Sequence, residues 1–134
     1  MTVLDTSVLI DSLTGAKKSA AALRRVIEGG ERLVMPSLVL YEWWRGPRFK
    51  EELAIQEAMF PSRAALPFGA EEAAIAGGLY RTLRRSRGRE IDLAIAACAL
   101  ARNAELWTLN PGDFRDIPGL RLTSPGHNEI AKHG

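Results

Sequence analysis

The chain has 134 residues, 46% hydrophobic and 25% charged, a balance that fits one globular domain with its own core and excludes long disordered stretches. Its net charge is +2, so bulk charge alone does not point to nucleic acid. The single Cys98, in the apolar run IAACAL, excludes an internal disulfide and fits a small buried side chain in a reduced intracellular protein.

Residues 2 to 5 read as a short buried strand with Asp5 at its carboxyl end, and Thr6 and Ser7 can cap a helix that stops near Gly15. A second helix is predicted from Lys17 to Glu28, ended by Gly29 and Gly30, and a strand from Arg32 to Met35 follows. Pro36 and Ser37 open a helix in which Glu42 shares a face with Leu38 and Arg45. Of Trp43 and Trp44 on that helix, one suits the core and the other a partner. A helix over Phe49 to Met59 is broken by Pro61, Arg63 to Leu66 reads as a third strand, and a long helix runs from Glu71 to about Ser86.

After Gly88 comes a helix with Asp92 in its first turn and an apolar stripe of Ile91, Ile95, Cys98 and Ala101. Glu105 to Thr108 reads as a strand, Asn110-Pro111-Gly112 as a turn leading to Asp113, and Leu120 to Leu122 as a last strand. Strands separated by helices imply a mainly parallel sheet covered on both faces, with ligand sites outside the strands' carboxyl ends. One domain over 1–134 is expected, with a glycine- and polar-rich tail from about 125. The start of the chain has neither the basic residues nor the apolar stretch of a signal peptide, and no apolar run approaches about 20 residues, so a cytoplasmic protein without a membrane span is expected.

Four acids end or open apolar segments: Asp5, Glu42, Asp92 and Asp113. Gathered at one sheet edge, like charges about 4 Å apart repel by roughly 4 kcal/mol at an effective dielectric near 20, so a quartet takes up protons or recruits a cation. An oxygen-preferring divalent ion answers that need, and a phosphodiester suits it as substrate. Singly each acid has an ordinary reading, Asp92 as a helix-start residue and Asp113 as a turn residue; Asp11 and Glu71 show such acids to be commonplace. His127 and His133 lie in the tail and are not expected to catalyse. Arg81, Arg84, Arg85, Arg87 and Arg89 form either a solvated helix face or a phosphate-binding strip. Glu90 reads as a solvent-facing residue or a partner of those arginines.

Asp5-Thr6-Ser7 followed by Leu9-Ile10, Glu42 after a Pro-Ser helix start, Asp92 followed by Ile95-Ala96-Ala97, and Thr108, Asn110, Asp113 and Phe114 together resemble the ordered motifs of PIN-domain ribonucleases, most of all VapC toxins of type II toxin-antitoxin systems. The resemblance spans about the whole chain. It implies a three-layer α/β/α fold with a parallel sheet, a Mg2+- or Mn2+-dependent endoribonuclease site acting on RNA, homodimerisation, and neutralisation by a small cognate antitoxin. It makes Asp5, Glu42, Asp92 and Asp113 the catalytic metal-binding acids, with Asp113 able to act through water. Thr6 becomes the hydroxyl beside the first acid and Ser7 a helix cap, while Thr108 and Asn110 support the fourth acid and the site's edge. Two other readings stand beside it. One is a catalytically idle module whose acidic cleft accepts a partner's basic residue. The other is an aspartyl phosphotransfer domain, against which Ser7 stands where a second aspartate is needed.

Overall fold

The computed structural model describes residues 1–125, so the expected tail from about 125, with His127 and His133, lies outside the described residues. Four short strands form one wholly parallel sheet in the order β2-β1-β3-β4: β1 Thr2–Leu4, β2 Leu33–Val34, β3 Glu105–Trp107 and β4 Leu122–Thr123. Among the described residues six α-helices surround it: α1 Thr6–Leu13, α2 Ala20–Glu28, α3 Ser37–Arg45, α4 Lys50–Met59, α5 Ala70–Thr82 and α6 Glu90–Ala101. This is the expected α/β architecture.

The strand order fixes where a site can form. From β1 the chain steps to β2 on one side, then returns past β1 to place β3 on the other. Because parallel crossovers are right-handed, steps in opposite directions send their helices to opposite faces. The reversal opens a crevice outside the carboxyl ends of β1 and β3, the usual place for a ligand in such sheets. The register Thr2↔Glu105, Val3↔Leu106, Leu4↔Trp107 puts Asp5 and Thr108 side by side at that crevice, and Asp5 donates its backbone N–H to the Trp107 carbonyl at 2.9 Å.

The core lies where the sheet meets its helices: Val3, Leu4, Leu106 and Trp107 from the strands, with Val39, Trp43, Leu93, Ile95 and Phe114. Trp43 is 0% exposed and Trp44 52%, which resolves the indole pair into one core residue and one surface residue. Arg48 stacks over the Trp43 ring at 4.3 Å, closing that side of the core with a cation–π contact.

Several boundaries differ from the sequence reading. The strand expected at Arg63 to Leu66 is absent: Ser62–Ala64 forms a 3-10 turn, and Leu66 makes only a single bridge to Pro36. Pro67 follows directly and has no N–H to extend a ladder. α2 starts at Ala20, since Lys17 has the left-handed φ of 52°. α5 stops at Thr82 because Leu83 is extended, and Ser86 folds back to donate its hydroxyl to the Tyr80 carbonyl at 2.6 Å. The residues over Leu120 to Leu122 are strand only from Leu122. α6 has no single apolar stripe: Leu93 through Ala99 are all buried, because the helix packs on β1, β3, α3 and α5 at once and its alanines let them approach.

Candidate active site

Asp5 terminates β1 and takes the N-cap position of α1 in an extended conformation (φ −80°, ψ 157°), yet its side chain makes no cap bond. The carboxylate, 5% exposed, turns instead into the crevice. Ser7 donates its hydroxyl to Asp5 Oδ2 at 2.8 Å, and Thr108, fully buried at the end of β3, donates to the same oxygen at 2.7 Å. Both bonds fall on one oxygen, which leaves Oδ1 to face the cleft. Ser7 Oγ also accepts the Leu109 N–H at 3.0 Å, and Thr108 Oγ1 accepts the Asn110 N–H at 3.0 Å. These bonds correct one expectation and refine another. Ser7 does not cap α1 but ties it to the segment after β3, and Thr108 bonds the first acid directly while reaching the fourth only through Asn110, whose carbonyl accepts the Asp113 N–H at 3.0 Å. Asn110 is exposed at the cleft's edge and joins this network through its backbone.

A hydrogen bond to a charged group contributes about 1.5–3 kcal/mol, so Thr108→Val, which leaves Asp5 with one hydroxyl donor, lowers stability by about that amount. Urea unfolding at neutral pH measures it, and an unchanged midpoint would contradict the role given to Thr108.

Glu42 reaches the cleft from α3. Thr6 donates to its Oε1 at 2.5 Å, and Arg45, one turn on, pairs with its Oε2 at 3.2 Å. Asp92 stands in the first turn of α6, half-buried, where the helix dipole favours a carboxylate. Asp113 closes the 3-10 turn Pro111–Asp113 and is exposed at the rim. Neither of these last two carboxylates accepts a hydrogen bond from the described residues.

The four acids do share one site. All of them line an open cleft of about 680 Å³, together with Thr6, Ser7, Asn110, Asp11 and Lys18. Their mutual field is visible in Asp92, whose carboxyl is pushed up to about 6, first by burial and then by repulsion from Asp5, Asp113 and Glu42, with Arg89 partly opposing. The lining holds carboxylates and hydroxyls and neither histidine nor cysteine, a donor set that suits a hard divalent cation. Among the described residues no three acidic, histidine or cysteine side chains are already drawn together as a cage. Magnesium commonly needs only one or two carboxylates beside water and substrate oxygens.

Sequence reasoning passed over three residues here. Asp11, read as an ordinary helix acid, lines the cleft and accepts the Ser19 hydroxyl at 2.5 Å. Lys18 lines the cleft from the turn after α1. Asp116 grips Arg89 through two bonds, at 2.9 and 2.7 Å. Of the five arginines, Arg81, Arg84, Arg85 and Arg87 are exposed outside the cleft lining, whereas Arg89 is engaged internally. Glu90 accepts the Gly88 N–H at 3.2 Å, a local contact at the start of α6.

A family model described as PIN domain matches residues 2–120 of the chain. Ribonuclease VapC19 of Mycobacterium tuberculosis, in strain CDC 1551 / Oshkosh and in strain ATCC 25618 / H37Rv, is 35% identical over 123 residues, covering 90% of this chain and 98% of that protein. Among solved structures, VapBC2 from Rickettsia felis bound to a DNA fragment from its promoter is similar at a TM-score of 0.73 and 24% identity, covering 92% of this chain and 97% of that one. DNA-bound VapBC from Salmonella typhimurium is similar at a TM-score of 0.76 and 22% identity, covering 92% and 96%. These two likenesses are of fold.

Proposed function

This chain belongs to the PIN-domain family, and we propose that it is a VapC-type endoribonuclease toxin that hydrolyses RNA with Mg2+ or Mn2+ and is neutralised by a cognate antitoxin. The observation that supports this most is the lining of one cleft by Asp5, Glu42, Asp92 and Asp113 at the point where the strand order reverses. Asp5, Glu42 and Asp92 hold the ion, and Asp113 joins them directly or through water. A divalent cation there supplies positive charge to the attacking water and to the scissile phosphate.

The chain's own residues do the rest. Ser7 and Thr108 fix the Asp5 carboxylate in one orientation, and Thr6 fixes Glu42. Arg45 balances part of the Glu42 charge until a cation arrives. Arg81, Arg84, Arg85 and Arg87, exposed near the start of α6, attract the RNA backbone. The acid surplus of the cleft gives an antitoxin a simple means of inhibition, a basic side chain placed where the cation binds.

Protein freed of antitoxin is expected to cleave RNA only with Mg2+ or Mn2+, leaving 5′-phosphate and 3′-hydroxyl ends, and to lose all cleavage with a chelator. Mapping of cleavage ends on total RNA checks this. No cleavage across a range of both ions overturns the reading and leaves the cleft as a docking place for a partner's basic residue.

Homodimerisation belongs to the same reading. A groove between α3, α5 and α6, lined by Leu38, Phe68, Ala76, Gly77, Tyr80 and Ile91, is almost wholly apolar and suits a second copy of the chain. Tyr80→Glu is expected to shift the protein from dimer to monomer in sedimentation velocity, and a monomeric wild type would contradict it.

A further inference from the structure

Arg89 is the last residue before α6 and belongs, by sequence, to an arginine run suited to phosphate. Its contacts give it another task. A guanidinium carries five N–H donors. Nη1 donates to the Arg85 carbonyl at 2.7 Å and to Asp116 Oδ2 at 2.9 Å, and Nη2 donates to Asp116 Oδ1 at 2.7 Å and to the Asp113 carbonyl at 2.9 Å. Four of the five donors are thus committed, two of them in a planar fork on one carboxylate, the strongest geometry open to this pair. The side chain is 18% exposed. With the fork intact, only the Nε–H is left for an RNA phosphate.

What the four bonds join is the site itself. Arg89 heads α6, accepting the Leu93 N–H at 2.9 Å, and Asp92 lies three residues on. Asp113 ends the Pro111–Asp113 turn, and Phe114 and Ile117 behind it are buried. Arg89 reaches that turn through a backbone carbonyl, so the Asp113 carboxylate stays free to face the cleft. We propose that Arg89 is a positioning residue of the candidate nuclease site: with Asp116 it clamps the Asp113 turn to the start of α6 and sets the spacing between Asp113 and Asp92. The inference rests on the nuclease reading and removes Arg89 from the RNA-contacting strip. Lysine cannot replace it, since an ammonium has three donors and no fork.

The test compares Arg89→Ala, Arg89→Lys, Asp116→Asn and the Arg89→Ala/Asp116→Asn double variant with Arg84→Ala/Arg87→Ala. kcat and KM are measured on an RNA oligonucleotide, and Mn2+ binding to the RNA-free protein is followed by electron paramagnetic resonance. Loss of a residue that orients metal ligands typically costs 10–100-fold, so Arg89→Ala and Asp116→Asn are expected to lower kcat about tenfold or more with KM within about twofold, and to weaken Mn2+ binding several-fold. The double variant is expected to be no worse than Arg89→Ala, and Arg89→Lys to recover only part of the loss. Arg84→Ala/Arg87→Ala is expected to do the reverse, raising KM with kcat kept. A rise in KM at unchanged kcat for Arg89→Ala would make it an RNA contact and overturn the proposal, as would kcat, KM and Mn2+ affinity all left unchanged. If Arg89→Ala does not fold by thermal melting, Asp116→Asn carries the test, because it leaves both carbonyl bonds in place. If the wild type cleaves no RNA, the nuclease reading fails on its own, and Mn2+ affinities that do not differ between the wild type and Asp116→Asn overturn the clamp separately.

Discussion

Asp5→Asn is expected to abolish RNA cleavage, lowering kcat by at least about 100-fold, while the protein still folds. Residues that merely orient metal ligands cost 10–100-fold when lost, and Asp5 stands at the centre of the set, so its removal belongs at or beyond the upper end. Folding survives because asparagine has the same shape and keeps a carbonyl oxygen to accept the Ser7 and Thr108 hydroxyls. Only the charge is lost. In the growing cell the same variant is expected to be non-toxic without its antitoxin. Magnesium-dependent cleavage retained by well-folded Asp5→Asn would sink the assignment.

Asp92→Asn is expected to stabilise the protein at pH 7.5 in the presence of a chelator, an unusual direction for a change in a half-buried site. Burial and the charges of Asp5, Asp113 and Glu42 raise the folded-state carboxyl from 3.8 to about 6. Below the unfolded value both states carry the proton and no penalty exists. As pH rises from about 4 to 6 the unfolded chain ionises more readily than the folded one, so stability falls, and above about 7 the full penalty remains. A two-unit shift corresponds to about 3 kcal/mol, and the open, screened cleft reduces this to about 1–2 kcal/mol. Loss of the favourable helix-dipole contact works the other way, at about 0.3–1 kcal/mol, and does not reverse the sign. The gain over wild type is therefore expected at pH 7.5, gone by pH 4, and reduced by added Mg2+, which favours the wild type. Denaturant midpoints measured against pH check all three, and a gain independent of pH would mean that neither burial nor the neighbouring acids raise the Asp92 carboxyl.

Much of this was legible in the chain. An aspartate closing an apolar strand, another opening a buried helix and a third after Pro-Gly could be found from local pattern, because burial period and turn chemistry are properties of neighbouring residues. The parallel sheet followed from strands alternating with helices. The bonds that hold the acids in place were not legible, for a physical reason. Thr108 meets Asp5 across 103 residues and Arg89 meets Asp116 across 27, and neither pair leaves a periodic or compositional trace. A hydroxyl after an N-cap aspartate reads as a cap, whereas Ser7 donates to the Asp5 carboxylate and accepts the Leu109 N–H from beyond β3. Arg63 to Leu66 departs from its local pattern too, because the proline after it leaves one bridge instead of a strand. The stripe expected on α6 became burial all round because β1, β3, α3 and α5 meet on that helix, a crowding that only the tertiary fold sets.

If Asp5, Glu42, Asp92 and Asp113 hold a divalent cation in one cleft, crystals of the antitoxin-free protein soaked in MnCl2 and measured near the manganese absorption edge will locate it. An anomalous peak is predicted within the cleft, bounded by Asp5, Glu42 and Asp92 and lost in Asp5→Asn crystals. A cleft without an anomalous peak at millimolar Mn2+, or a peak that persists there in Asp5→Asn, would contradict that site.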